Sequence, residues 1–227
     1  MTDPAIVLHG TALSGHTHRV ELLLRILELP YRFVPAPAEV RRSAAFSKLN
    51  PLRQIPVLED GELVLADSNA IMVYLVKRYA PGSSWLPNEP VAASNVQRWL
   101  SIAAGEVMYG PATARMVAQF GMEGDPVRSV LIAGRLLSFM DAHLEDRNYL
   151  AAAHPTLADL ACYSYVAHAP EAGIGLDAYE QVRAWLRRVE ALPRFKAMPA
   201  REFPRPPEGR GLGVALSAVP SPGTEAR

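Results

Sequence analysis

Asn50 to Ile71 reads NPLRQIPVLEDGELVLADSNAI, and the proline inside it decides how the first third of the chain folds. Proline cannot donate to a sheet ladder, so it belongs at a strand's first residue or on an edge. Pro56 therefore opens a strand, PVLE, and ELVLA follows as a second, with Asp60-Gly61 between them as a two-residue hairpin signal. The two strands are expected to be antiparallel. Ser68 is then a candidate cap for a helix on which Ile71, Leu75 and Tyr79 form one apolar face, with Met72 and Val76 beside it.

Upstream, AIVLHG reads as a strand, and Val20, Leu23, Leu24 and Leu27 recur at helical spacing up to Pro30. YRFVPA is a second strand, so the opening is βαβ, with parallel strands and a right-handed crossover. A short helical stretch over roughly 39–49 completes a βαβ-α-ββα pattern across residues 1–80. Residues 81–90 hold three prolines and no period with Ala80 before them, and read as a linker.

Residues 91–198 read as all-helical. Val96, Trp99, Leu100 and Ala103 mark a long helix that Pro111 should break. Asp125-Pro126 is a cap followed by a first-turn proline, opening a helix to about Asp146. TLADLACYSYVAHA carries Thr156 and Asp159, a relative of the capping box, and Val182, Trp185, Leu186 and Val189 mark a last amphipathic helix. Residues 199–227 hold ten Pro or Gly and no helical period, so an irregular tail is expected. The fold class is thus an α/β domain followed by an all-α domain.

Lysine plus arginine equals aspartate plus glutamate at 23 each, so no net field draws the 227-residue chain to nucleic acid or an anionic membrane. The expected partner is a small molecule. A lone cysteine, Cys162, excludes an internal disulfide or a cysteine metal cluster and fits a reducing compartment. With no signal-like start and no apolar run of about 20 residues, a cytoplasmic protein is expected.

Several residues could carry chemistry. A cis Ile55-Pro56 bond would turn the Ile55 backbone outward, where a peptide-like ligand could pair with it as an added strand. The first turn of the helix at Ser68 offers free N–H groups to a carboxylate, and Asp67 could take an ammonium; equally, the pair could serve only to cap the helix. Ser14 lies between the first strand and first helix, as a cap or as a hydroxyl donating to a bound thiolate. His16 and His18 diverge on a helix and make a poor metal pair, so solvated or capping roles are expected, and no metal site is read. Arg41 and Arg42 could meet a ligand carboxylate or face solvent. Cys162 is expected in the core.

Taken together, these motifs resemble the cytosolic glutathione transferase family over roughly residues 4–195, with HGTALSGHTHRV similar to its serine-type members, the phi and theta classes among them. The resemblance implies a thioredoxin-like first domain with Pro56 cis. It implies glutathione as co-substrate: Ile55 pairing with the cysteinyl part, Asp67 and Ser68 holding the γ-glutamyl end with Gln54 nearby, and Arg42 and Arg41 meeting the glycine carboxylate. Ser14 would stabilise the thiolate. Leu13, Met108, Tyr109, Ala112 and Met116 are candidates to line the pocket for an apolar electrophile.

A homodimer is also implied, although Leu52 stands where many family dimers carry an aromatic key, and Arg53 replaces a common glycine. With no cysteine near position 14, the resemblance favours conjugation of glutathione to the electrophile. Glutathione-dependent reduction of peroxides or disulfides, or a non-catalytic binding scaffold, are the alternatives.

Overall fold

The computed structural model describes residues 5–201. Of the expected tail, 202–227 lie outside the described residues. The first half builds a four-stranded sheet in the order β2-β1-β3-β4. Strand β1 (Ile6–Gly10) pairs in parallel with β2 (Tyr31–Pro35) and antiparallel with β3 (Val57–Asp60), which pairs antiparallel with β4 (Leu63–Ala66). The β1–β2 crossover is α1 (Gly15–Ile26).

The hairpin lies one residue later than its sequence signal. Asp60 still pairs with Leu63, so the loop is Gly61-Glu62, and Gly61 takes φ +60, open to glycine without steric cost. The stretch over 39–49 is two helices, α2 (Ala38–Arg41) and α3 (Ala44–Leu49), because the Ser43 side chain turns to cap the second, accepting from Phe46 N–H at 3.1 Å.

Helix α4 (Ser68–Tyr79) ends the first half, and α5 (Pro90–Ala104) begins the second, capped by Glu89. Pro111 falls within a π-helical turn, Met108–Ala112, where Gly110 leaves helical geometry at φ −93, ψ −105. The distortion separates α5 from α6 (Thr113–Phe120). Asp125 caps α7 (Pro126–His143), Thr156 and Asp159 form a full capping box on α8 (Leu157–Ala167), and α9 (Glu180–Glu190) follows a short turn at Ala169–Ala172. No helix among the described residues is long and apolar enough to cross a membrane.

One continuous core joins the halves, running from Leu8, Leu23 and Ile71 to Trp99, Leu137 and Trp185. Helix α1 is covered by β1, α4 and α8, which explains why Leu22, Leu23 and Leu24 are all fully buried, one after another. Each such side chain contributes about 1.5–3 kcal/mol. Cys162 is also fully buried, and burial pushes its thiol up to about 12. That leaves it unreactive.

Candidate functional site

Ser14 is the N-cap of α1, its Oγ accepting from Thr17 N–H at 3.3 Å. Capping uses only the oxygen, so the hydroxyl proton is still free to donate, and the structural and chemical roles are compatible. The preceding loop is held from the other half of the molecule: Arg115 on α6 donates from Nη1 to the Leu13 carbonyl at 2.8 Å.

Asp67, not Ser68, caps α4. Its Oδ1 accepts from the N–H groups of Asn69 and Ala70, both at 2.9 Å, which places Ser68 at the first helical position. Asp67 sits at φ +72, ψ +122, a conformation that costs an L-residue about 1–3 kcal/mol and clusters at ligand-binding sites. Its carboxylate is exposed, and only Oδ1 serves the helix.

Ser68 is 4% exposed and ties the two helix starts together. His16 Nε2 lies 3.4 Å from Met108 Sδ, and its Nδ1 lies 3.4 Å from Ser68 Oγ. A thioether only accepts, so a neutral ring protonated at Nε2 satisfies both contacts. Arg19 is fully buried beneath, donating from Nη1 to Ser68 Oγ at 3.4 Å and Asn69 Oδ1 at 3.2 Å. Its Nε and Nη2 have no partner. A buried guanidinium and two helix N-termini thus place positive potential at one spot.

Leading into β3, Asn50 shapes the turn: its Nδ2 donates to the Gln54 carbonyl at 3.0 Å and its Oδ1 accepts from Leu52 N–H at 3.1 Å. Arg53 adopts φ +55 there, the left-handed region that glycine enters more cheaply. The Ile55-Pro56 bond is cis. Among the described residues no hydrogen bond engages the Ile55 backbone, and its side chain packs on a small cluster of Ala36, Phe46 and Val57. Gln54 is exposed, as is Arg42 at the end of α2, whereas Arg41 is half-buried with Nε unpartnered.

The five residues read as pocket lining do not stay together. Met108 reaches His16 and so the Ser14 side; Leu13 and Met116 are half-buried. Ala112 is fully buried in the core. Tyr109, 63% exposed, lines a groove of about 630 Å³ with Ile102, Leu136 and Phe139, between α5 and α7. The π-helical turn, with Gly110 out of helical geometry, separates Tyr109 from Ala112.

Nor is either histidine solvated. His18 is 3% exposed, with Nε2 2.7 Å from the Lys196 carbonyl and Nδ1 2.9 Å from Ser164 Oγ, so Nε2 carries the proton and the ring is neutral. Burial lowers its pKa to about 4, against the pull of the Lys196 carbonyl and Glu21 and with the help of His168 and Lys196. Burial, then Arg19, lowers that of His16 to about 3. Unfolded histidine titrates near 6.5, so below that pH the unfolded chain binds protons the folded one refuses.

Stability should therefore be complete above about pH 6.5 and fall as pH drops toward 4, by up to about 1.4 kcal/mol per pH unit for each ring. Thermal melts between pH 7.5 and 4.5 measure this, and His18→Gln should flatten the profile. A melting temperature constant from pH 6.5 to 5 would contradict it.

A small mixed sheet with two helix N-termini converging at its edge, joined to an all-helical half, defines a thioredoxin-like domain fused to a helical one. Residues 8–84 match the family described as "Glutathione S-transferase, N-terminal domain", and residues 129–193 match "Glutathione S-transferase, C-terminal domain". Glutathione S-transferase 3 of Zea mays is 30% identical over 216 residues, 88% of this chain and 96% of the maize protein.

Glutathione S-transferase theta-2 of Mus musculus is 32% identical over 161 residues, 66% of this chain and 65% of its own length, just under two thirds. Among solved structures, a glutathione S-transferase from Pseudomonas fluorescens aligns with a TM-score of 0.79 at 29% identity, covering 86% of this chain and 98% of that one. A Drosophila mojavensis glutathione transferase homologue with bound glutathione aligns at 0.76 and 28% identity, covering 83% and 88%. The chain belongs to the glutathione S-transferase family.

Sequence reasoning missed His16, Arg19, Asn50 and Arg115 as organisers of the site. Asn50 alone left a local signal, an Asn-Pro turn just before the strand. The others act through partners about 50 to 100 residues away in the chain.

Proposed function

We propose that the protein binds glutathione along the β3 edge, favours its thiolate at Ser14, and adds the sulfur to the electrophilic carbon of an apolar small molecule. The observation that carries this reading is the convergence of the α1 and α4 N-termini, bridged by His16 and Ser68 over the buried Arg19. A free thiol titrates near pKa 8.5, and helix N-termini, nearby cations and a hydroxyl donor all favour the anion. The thiol proton leaves to solvent before the carbon–sulfur bond forms, and the electron pair of the bond broken at carbon departs with the leaving group or stays on the conjugate. Ser14 donates throughout and attacks nothing.

In this reading the unpaired Ile55 backbone meets the cysteinyl unit, the free Asp67 oxygen takes the γ-glutamyl ammonium, and the Ser68 turn, with Gln54 beside it, takes the carboxylate. Arg42 and Arg41 face the glycine carboxylate. Leu13, Met108 and Met116 border the electrophile. Exposed Leu52 and the apolar groove holding Tyr109 and Phe139 support a homodimer.

The test is the ultraviolet difference absorbance of bound glutathione from pH 5 to 9. Ionisation well below the free thiol's is expected, with Ser14→Ala raising it by about 1–2 units, the worth of one hydrogen bond to an anion. Binding without ionisation would point to a scaffold, and glutathione disulfide forming without a conjugate would point to reduction.

A further inference from the structure

Arg115 and Arg19 are both buried, each 1% exposed, but the fold treats them differently. Arg115 has a carboxylate at 2.6 Å, that of Glu171. Arg19 has none: among the described residues no ion pair reaches it. Its hydrogen bonds run only from Nη1, to Ser68 Oγ at 3.4 Å and Asn69 Oδ1 at 3.2 Å, two neutral acceptors on the first turn of α4. Nε and Nη2 stay unpaired. The Tyr165 ring, its centroid 6.0 Å from the guanidinium, offers a π cloud but no charge. Because arginine keeps its proton in proteins, a whole positive charge lies under that helix start.

Burying an ion without a counter-ion is strongly unfavourable, and a group left so in a fold calls for a partner from outside the chain. We propose that Arg19 is the counter-charge for the α-carboxylate at the γ-glutamyl end of glutathione, acting from beneath the α4 turn through Ser68 and Asn69 rather than by contact. The inference rests on the glutathione reading above. Asp67 already occupies most of the donors in that turn: its Oδ1 takes the N–H groups of Asn69 and Ala70, and its carbonyl takes that of Ile71. Among the described residues Ser68 N–H alone is left for an incoming anion. A helix start with one donor to spare holds a carboxylate weakly, and the charge below it supplies the attraction that the donors do not.

The two charges of an amino-acid head thus meet fixed charges of opposite sign, the Asp67 carboxylate for the ammonium and Arg19 for the carboxylate. Asp67 is exposed and Arg19 enclosed, so the pull on the carboxylate is the less screened of the two. Arg19 is a positioning residue that selects for this carboxylate without touching it.

Calorimetric titration at pH 7 compares glutathione with γ-aminobutyryl-cysteinylglycine, which lacks only that carboxylate, on wild type, Arg19→Met and Arg19→Lys. Wild type should bind glutathione more tightly than the analogue. Arg19→Met should weaken glutathione binding about tenfold, the scale of one charge acting through protein at an effective dielectric of about 20, and leave the analogue nearly unchanged. Arg19→Lys keeps a charge and should retain most of the preference. Should Arg19→Met not fold, Arg19→Gln, neutral yet able to donate to Ser68 and Asn69, carries the same comparison.

Equal weakening of both ligands by the neutral variant would show a merely structural role and overturn the proposal, as would a preference as large as that of wild type. A wild type that binds both ligands equally overturns the proposal alone and leaves glutathione binding intact. A wild type that binds neither sinks the glutathione reading, and the inference with it.

Discussion

Glu171→Ala should destabilise the protein by about 3–5 kcal/mol, the range for removing one partner of a buried ion pair. Glu171 is 5% exposed in the turn after α8, and Arg115, 1% exposed, donates from Nε to its Oε2 at 2.6 Å. The other carboxylate oxygen accepts from His168 Nδ1 at 2.6 Å and from the Arg201 N–H at 2.9 Å. Burial alone would raise the carboxyl's pKa, but donation from His168, Arg201 and Arg115 outweighs it and holds the group below its ordinary range. The pair is thus charged at neutral pH.

Without Glu171 the Arg115 guanidinium keeps the Leu13 carbonyl at 2.8 Å and little else, because its Nη2 already has no partner. Replacing both residues with methionine should recover much of the loss, since two apolar side chains of similar volume leave no orphaned charge. Urea unfolding of the two single variants and the double variant measures this. A single-variant loss under about 1 kcal/mol would show that the pair is not desolvated as its burial implies. The same variants should weaken glutathione binding, because Arg115 holds the loop that delivers Ser14.

Asp159→Ala is the second large expected effect, again about 3 kcal/mol or more, because four buried donors would lose their acceptor at about 1–3 kcal/mol each. Fully buried, Asp159 accepts from Leu150 N–H at 3.0 Å, Thr156 N–H at 2.8 Å and Trp185 Nε1 at 2.9 Å, with the Thr156 hydroxyl at 3.2 Å. Burial pushes its pKa up while these donors pull it down. It therefore closes the α8 cap, fixes the loop before it, and orients the buried Trp185 on α9.

Asp159→Asn keeps the shape but turns an NH₂ toward groups that themselves donate, so it should lose nearly as much as alanine. Denaturant midpoints for both variants test the point; an Asn variant close to wild type would mean that shape, not acceptor count, matters here. Thr156→Ala should cost less, about 1 kcal/mol, as an ordinary cap does.

The elements set by short-range chemistry were readable from the sequence. Pro56 opening β3, the glycine hairpin, Asp125-Pro126 at the start of α7 and Thr156 with Asp159 on α8 each depend on residues within a few positions of one another. What needed the fold was of another kind. Asp67 displaces Ser68 as the α4 cap because the chain enters that helix at positive φ, which no periodicity reveals. His16 and His18 look like surface residues until α8 and the Lys196 segment cover them. Tyr109 and Ala112 part company because Gly110 departs from helical geometry between them. At the candidate site, the buried partners of Ser14 and Ser68 could not be read, because they come from distant parts of the chain.

The burial of α1 on every side bears on how this chain can change over time. Two family regions can be drawn on the sequence, yet the helix capped by Ser14 is clamped from beyond the first of them: Ser164 against His18 and Tyr165 against Gly15 come from the second, and Arg115, between the two, holds the Leu13 carbonyl just before the helix. A chimera joining this first half to a relative's second half would inherit a mismatched clamp. A substitution at these contacts on α8 or α6 is therefore expected to need a compensating change around α1.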